Sequence, residues 1–230
     1  MIKVIAINLI LLLMTGCADT YNIYQYESPK TIIALDNKAK LINQISPIKS
    51  QAVINFVGKV TQKKTNDLTS YIHKQMNDGV KDFMIVINSG GGDSDASIAA
   101  YQYLKQLPVS ITTYNIGNVQ SSAALLYCSG TKRYALANSF FMLHGSSTTY
   151  AEGMSLAKVE ALLKLGKIHQ QAFVDIFQTC TNLSISLLEK YFSSADSNYF
   201  TVTEAQKMGF VQEIAAPQFF KQAILYNITD

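Results

Sequence analysis

The chain of 230 residues carries 19 Lys and Arg against 16 Asp and Glu, a formal net charge of +3, and is 48% hydrophobic. So small a charge balance, with no basic stripe interleaved with aromatic residues, argues against a nucleic-acid partner. The three cysteines and three histidines show no metal-ligand spacing, so neither a metal site nor a cofactor is expected.

The N-terminus reads as a secretory leader over residues 1–16. Lys3 supplies a short positive region, and Val4 to Met14 is mostly apolar but too short to span a membrane as a helix. The leader closes on Met14-Thr15-Gly16-Cys17, which resembles a bacterial lipobox and implies lipidation of Cys17. Ala18 follows, where an aspartate would signal retention at the inner membrane. The resemblance therefore implies an outer-membrane anchor facing the periplasm in an organism with two membranes. Residues 17–50, rich in Asn, Tyr, Lys and Ser without sustained periodicity, read as a tether and N-terminal arm.

Residues 51–216 have the length of one domain with a sizeable core. Ala52 to Val60 reads as a strand and Thr65 to Met76 as a helix. The unbroken apolar run Phe83-Met84-Ile85-Val86-Ile87 reads as a buried parallel strand. It stops at Asn88-Ser89-Gly90-Gly91-Gly92-Asp93, and a helix follows over Ala96 to Leu107, ahead of Pro108. Strand Ser110 to Ile116, helix Ser121 to Cys128, and short strands at Arg133 to Leu136 and Ser139 to Leu143 continue the series. Repeated β-to-α units predict an α/β fold with a mainly parallel sheet. Met154 to Phe177 is a long helical segment with apolar residues at Leu156, Val159, Leu162, Leu163, Ile168, Phe173 and Ile176. Residues 217–230 read as a C-terminal tail.

Candidate chemistry lies between Gly90 and His144. Gly117-Asn118-Val119-Gln120-Ser121 leads into an apolar helical run, which puts Ser121 at a helix start, where unpaired backbone N–H groups favour developing negative charge. The glycine turn upstream has neither the spacing of a dinucleotide fingerprint nor the Gly-Lys-Ser/Thr of a P-loop. A serine, a glycine turn and a downstream histidine are the parts needed to attack an acyl carbon and hold the resulting oxyanion. Of the three histidines, only His144 follows a strand in the right order; His73 and His169 read as packing or surface residues on helices. Cys128 and Cys180 are compatible with a disulfide in an oxidising compartment and equally with two buried thiols.

Together these segments resemble the proteolytic subunit of the Clp protease family. The matching residues are Ile87 to Gly92, Gly117 to Leu126, Lys132-Arg133, Ala137-Asn138-Ser139, Met142-Leu143-His144, Thr203-Glu204-Ala205 and Gly209-Phe210-Val211. The resemblance implies a crotonase-like stack of ββα units, with Ser121 as nucleophile, His144 as general base, and the backbone N–H groups of Gly92 and Ser122 as oxyanion donors. It departs at Gly90, where the family has proline, and at Ser122-Ala123, where the family has Met-Gly. The family's acid aligns with Ser197, one residue after Asp196. Asp196 is taken as the third member through a one-residue slip, with Asn198, or no acid, as the alternatives. The helix over Met154 to Phe177 corresponds to the one through which the family's rings pair, implying a homo-oligomer. Local packing accounts for its pattern equally well.

The expected function is a lipid-anchored, ATP-independent serine peptidase acting on peptides or unfolded protein, because a secreted lipoprotein meets neither a cytoplasmic unfoldase nor ATP. A non-catalytic assembly or binding lipoprotein on the same fold is the alternative. Acyl-CoA chemistry on the related crotonase scaffold is weaker, since it has no use for the Ser-His pair.

Overall fold

The run Phe83 to Ile87 is apolar at every position because both faces of its strand are covered. In the computed structural model it belongs to β2 (Asp82–Ser89), which lies between β1 (Gln51–Val57) and β3 (Ser110–Gln120), parallel to both. Phe83, Ile85 and Ile87 face the main core together with Ile54 and Phe56 of β1. Met84 and Val86 face the other way, into a smaller cluster with Val53 and Tyr114. Alternating strand geometry thus turns one apolar run into two packed layers. The structure describes residues 51–147, 151–193, 196–217 and 223–229, all in a compact unit spanning 45–230. The leader, Cys17 and the 17–50 tether lie outside the described residues.

Helices α1 (Gln62–Asn77) and α2 (Ser94–Gln106) cover the main face through Leu68, Ile72, Ala100, Tyr101 and Leu104. Each is started by a side chain that accepts a backbone N–H, Thr61 from Lys64 and Asp93 from Ala96. Such caps contribute about 1 kcal/mol each. The strand expected to reach Val60 ends at Val57 because Gly58 turns the chain at φ 89°, and α1 then begins at its threonine cap. Next come α3 (Ala123–Cys128), β4 (Lys132–Ala135), β5 (Phe140–Leu143) and the long α4 (Leu156–Cys180). They are followed by α5 (Ile185–Ser193), β6 (Asn198–Thr201), α6 (Val202–Lys207), β7 (Glu213–Ile214) and β8 (Ile224–Ile228). Helix α5 has no counterpart among the expected elements.

The sheet runs in the order β6-β5-β3-β2-β1-β8, with β4 bridging β3 and β7. Every pairing is parallel except β5 with β6. This is the mainly parallel α/β architecture expected from the alternating β-to-α units. Strand β8 comes from the segment read as a tail. It pairs with β1 from Ala52↔Ile224 to Phe56↔Ile228, and Tyr226 stacks on Tyr71 of α1 with ring centroids 4.0 Å apart. Its short alternating pattern lacks a neighbouring turn signal, which is why the sequence reading missed it.

Strand β3 serves two neighbours in turn. Residues Thr112 to Asn115 pair with β4, and Asn118 to Gln120 pair with β5, while its register against β2 shifts between Ile87 and Ser89. The lead-in Gly117 to Gln120 is therefore strand rather than loop, with Val119 fully buried.

The C-terminal ends of α3, α4 and α6 meet at Arg133. Its Nε donates to Phe210 O at 3.0 Å, Nη1 to Gly130 O at 3.1 Å, and Nη2 to Gly209 O at 3.2 Å and Cys180 O at 3.3 Å. Carbonyls near helix C-termini carry partial negative charge, so a cation there needs no carboxylate. Burial lowers the Arg133 pKa, yet guanidinium stays protonated in proteins. Beside it Cys128 and Cys180 are joined as a disulfide, which decides between the two states left open by the sequence and links the ends of α3 and α4. With a sequence separation of 52 between the cysteines, loss of the crosslink removes about 4 kcal/mol of loop-closure stabilisation. Replacing both by alanine should lower Tm by roughly 8–16 °C for a domain of this size, measured by thermal melting. An unchanged midpoint would mean that the crosslink adds nothing to stability.

Candidate active site

Ser121 stands where β3 has ended and α3 has not begun. The helix starts at Ala123 with Ser122 as its N-cap residue, so Ser121 precedes the helix, a correction to the expected range Ser121 to Cys128. It is the sole non-glycine with positive φ, at 51°, among the described residues. A left-handed non-glycine costs about 1–3 kcal/mol and persists only where its surroundings enforce it. Here Ser121 N donates to Met142 O at 2.8 Å, which continues the β3–β5 ladder to the last residue before the turn. A serine on a sharp strand-to-helix turn projects its hydroxyl out of the sheet.

β5 delivers the base. His144 follows directly on Leu143, and its Nε2 lies 2.8 Å from Ser121 Oγ. Both residues are half-buried. The two residues are separated by 23 positions in the chain, and the fold brings them into hydrogen-bond contact.

The glycine turn packs against the same serine. Gly91 N donates to the buried Ser89 Oγ at 3.2 Å, Val60 N to Gly91 O at 2.9 Å, and Asp93 N to Val60 O at 3.1 Å. Gly91 has φ 88°, and a Cβ there would lie 2.7 Å from Ser121 Cβ and 3.1 Å from Ser122 N. No side chain fits between the turn and the serine. Gly92 has φ 154°, and a Cβ at that position would collide with Val60 O. The Gly91 carbonyl points at Val60, so the N–H of the same trans peptide, that of Gly92, points away from it. Gly92 is exposed, whereas Ser122 is fully buried. The Ser122 hydroxyl finds no partner among the described residues. Neighbouring polar groups hold the floor of the turn: Asn88 Oδ1 accepts from Asn118 N at 3.2 Å and Asn118 Nδ2 at 2.8 Å. Gly117 permits this approach, because a Cβ there would lie 2.8 Å from Asn88 Oδ1.

Asp196 lies on the exposed turn that enters β6. The antiparallel register ends at Leu143↔Asn198; continued outward, it sets Ser197 opposite His144 and Asp196 opposite Gly145. Asn198 Nδ2 donates to Leu143 O and to Asp196 O, both at 3.3 Å, so the amide ties the turn to the end of β5.

Two further histidines make side-chain contacts. His73 Nδ1 lies 3.1 Å from Tyr103 OH on the exterior. His169, read from the sequence as a packing or surface residue, is 8% exposed. Its Nε2 contacts Asp95 Oδ1 at 2.8 Å, and its Nδ1 contacts Ser146 Oγ at 3.3 Å. This second Ser-His-Asp string eluded the sequence reading because its members are distant in the chain and none sits in a motif. Ser146 has an ordinary backbone and the longer hydrogen bond, and the glycine turn packs on Ser121.

A parallel α/β sheet that presents a strained serine, a histidine and a glycine turn at the carboxyl ends of its strands defines a hydrolase-type scaffold. The chain belongs to the Clp protease family: the family's profile, described as Clp protease, matches residues 36–218. Membership supports a peptidase role.

Proposed function

We propose that the protein is a serine peptidase that cleaves peptides or unfolded protein through an acyl-enzyme, without ATP, while held at the outer membrane by a lipid on Cys17. The observation that carries the catalytic reading is the 2.8 Å contact between Ser121 Oγ and His144 Nε2. With the His144 proton on Nδ1, Nε2 takes the Ser121 hydroxyl proton as Oγ attacks the scissile carbonyl carbon. The carbonyl oxygen becomes an oxyanion and receives the N–H groups of Gly92 and Ser122. Collapse of the tetrahedral intermediate breaks the C–N bond, and His144 gives its proton to the departing amine. Water activated by the same imidazole then hydrolyses the Ser121 ester. Only the backbone of residue 122 takes part, so serine can stand there in place of the family's methionine.

Asp196 is the acid that would orient His144 Nδ1–H, supported by its place beside Gly145 and His144 in the extended register. Asn198 is the substitute, although its Nδ2 already donates to Leu143 O and Asp196 O. The disulfide between Cys128 and Cys180 supports an oxidising, extracytoplasmic compartment, in keeping with the leader and lipobox. α4 supports a homo-oligomer, because Leu156, Leu163 and Ile168 expose 73%, 53% and 55% of their surface. A second copy would cover these side chains.

A fluorophosphonate probe should label the wild type on Ser121. Ser121→Ala and His144→Ala should each cut peptide hydrolysis by on the order of 10⁴–10⁶, and the double variant should be little worse, because the two act as one unit. Absence of both labelling and hydrolysis would leave the non-catalytic assembly or binding lipoprotein as the reading.

Asp196→Ala should lower kcat by on the order of 10⁴ if Asp196 orients the base, measured by steady-state hydrolysis. Activity close to wild type would pass the role to Asn198 or dispense with an acid.

Cys17→Ser should abolish metabolic lipid labelling and move the protein from membranes to the soluble fraction. Sedimentation of that soluble form should give a multimer. A wild type without lipid would refute the anchor, and a monomer at micromolar concentration would refute the oligomer.

A further inference from the structure

We propose that His169 is a positioning residue for the Ser121–His144 pair, holding the segment that carries the base and the turn that carries the oxyanion donor onto one helix. The proposal rests on the serine-peptidase reading of that pair. Asp95 lies in the first turn of α2, three residues past Gly92, and Ser146 lies two residues past His144. His169 of α4 contacts both, at 2.8 Å and 3.3 Å. One neutral tautomer satisfies both contacts: Nε2–H donates to the Asp95 carboxylate, and the Nδ1 lone pair accepts the Ser146 hydroxyl proton.

The arrangement answers a mechanical need. The β5–β6 ladder ends at Leu143↔Asn198, so His144 and Gly145 extend beyond the last paired residue. Ser146 is the next side chain tied down, and its tether is the His169 ring, which is nine-tenths buried. On its opposite edge the same ring fixes the start of α2, which is continuous with the glycine turn at Gly91 and Gly92. Further along, α4 is bound through Cys180 to Cys128 at the end of α3, the helix that begins next to Ser121. One rigid helix thus touches all three segments that must agree in position, and His169 makes two of those contacts. Asp95 is largely exposed, with 72% of its side chain accessible, so its hydrogen bond with the ring contributes little to stability. Fixing the position of the base is the larger effect, since a misplacement of about 1 Å can cost on the order of 10²-fold in rate.

The test measures the rate constant for acylation of Ser121 at saturating fluorophosphonate, together with kcat and KM for a peptide substrate, on active-site-titrated protein of verified fold. His169→Ala should slow acylation and lower kcat by on the order of 10²-fold with KM near wild type. Ser146→Ala, a milder change, should act in the same direction, and the double variant should be no worse than His169→Ala alone. His169→Asn keeps a polar group near the Nδ1 position, within reach of Ser146, and should recover most of the rate. His169→Gln places its polar group nearer Asp95 and should not. Wild-type acylation in His169→Ala with a lowered Tm would overturn the proposal and leave the ring as a structural strut. Equal rescue by Asn and Gln would overturn the route through Ser146. Failure of the wild type itself to label would show before any variant is compared and would refute the peptidase reading along with this one.

Discussion

The site depends on one strand having two successive neighbours on the same side. Over Thr112 to Asn115, β3 pairs with β4; over Asn118 to Gln120 it pairs with β5. A straight ladder would keep a single partner, so β3 shifts register against β2 between Ile87 and Ser89. That irregularity sits where Asn88 reaches Asn118 beside Gly117. As a result the last rung, Ser121 N to Met142 O, seats Ser121 against a residue two positions before His144. The same rung enforces the left-handed backbone of Ser121. Its strain, about 1–3 kcal/mol, is small beside the burial of all six residues of α3, each at 0–1% exposure.

Behind α3, the fold gathers helix C-termini rather than side-chain charges. Arg133 donates to carbonyls at Gly130, Cys180, Gly209 and Phe210, and the Cys128–Cys180 bond closes the same region. A buried cation with four carbonyl partners uses four of its five N–H donors without burying an anion, which avoids the desolvation cost of a second ion. α3 is thereby fixed at both ends, by the β3–β5 rung at its start and by this knot at its finish. The position of Ser121 therefore follows from main-chain constraints more than from its own contacts.

Main-chain constraints also explain which departures from the family pattern the site can absorb. At residue 122 the side chain is fully buried, and its hydroxyl lacks a partner among the described residues. At residue 90 a Cβ would meet nothing within 4 Å, so a side chain has room to begin there. Gly91 and Gly92 differ from both: their positive φ and the contacts a Cβ would make with Ser121 and Val60 leave no room for a side chain. Asp196 lies on an exposed turn that leads into β6.

The sequence by itself determined the fold class, because an unbroken apolar strand, β-to-α alternation and glycine punctuation are local signals with few topological solutions. It also singled out Ser121 and His144, since each stands beside a strand or turn legible from its neighbours, whereas Gly92 entered through the resemblance to the Clp protease family. Only the tertiary structure decided that Gly117 to Gln120 is strand, that residues 224–228 close the sheet edge, and that Cys128 and Cys180 pair. It alone revealed the contacts of His169 with Asp95 and Ser146. Each of these rests on partners far apart in sequence: β5 for β3, β1 for β8, the end of α4 for α3. Pairing across such distances is set by register and packing, and nothing within a window of neighbouring residues encodes it.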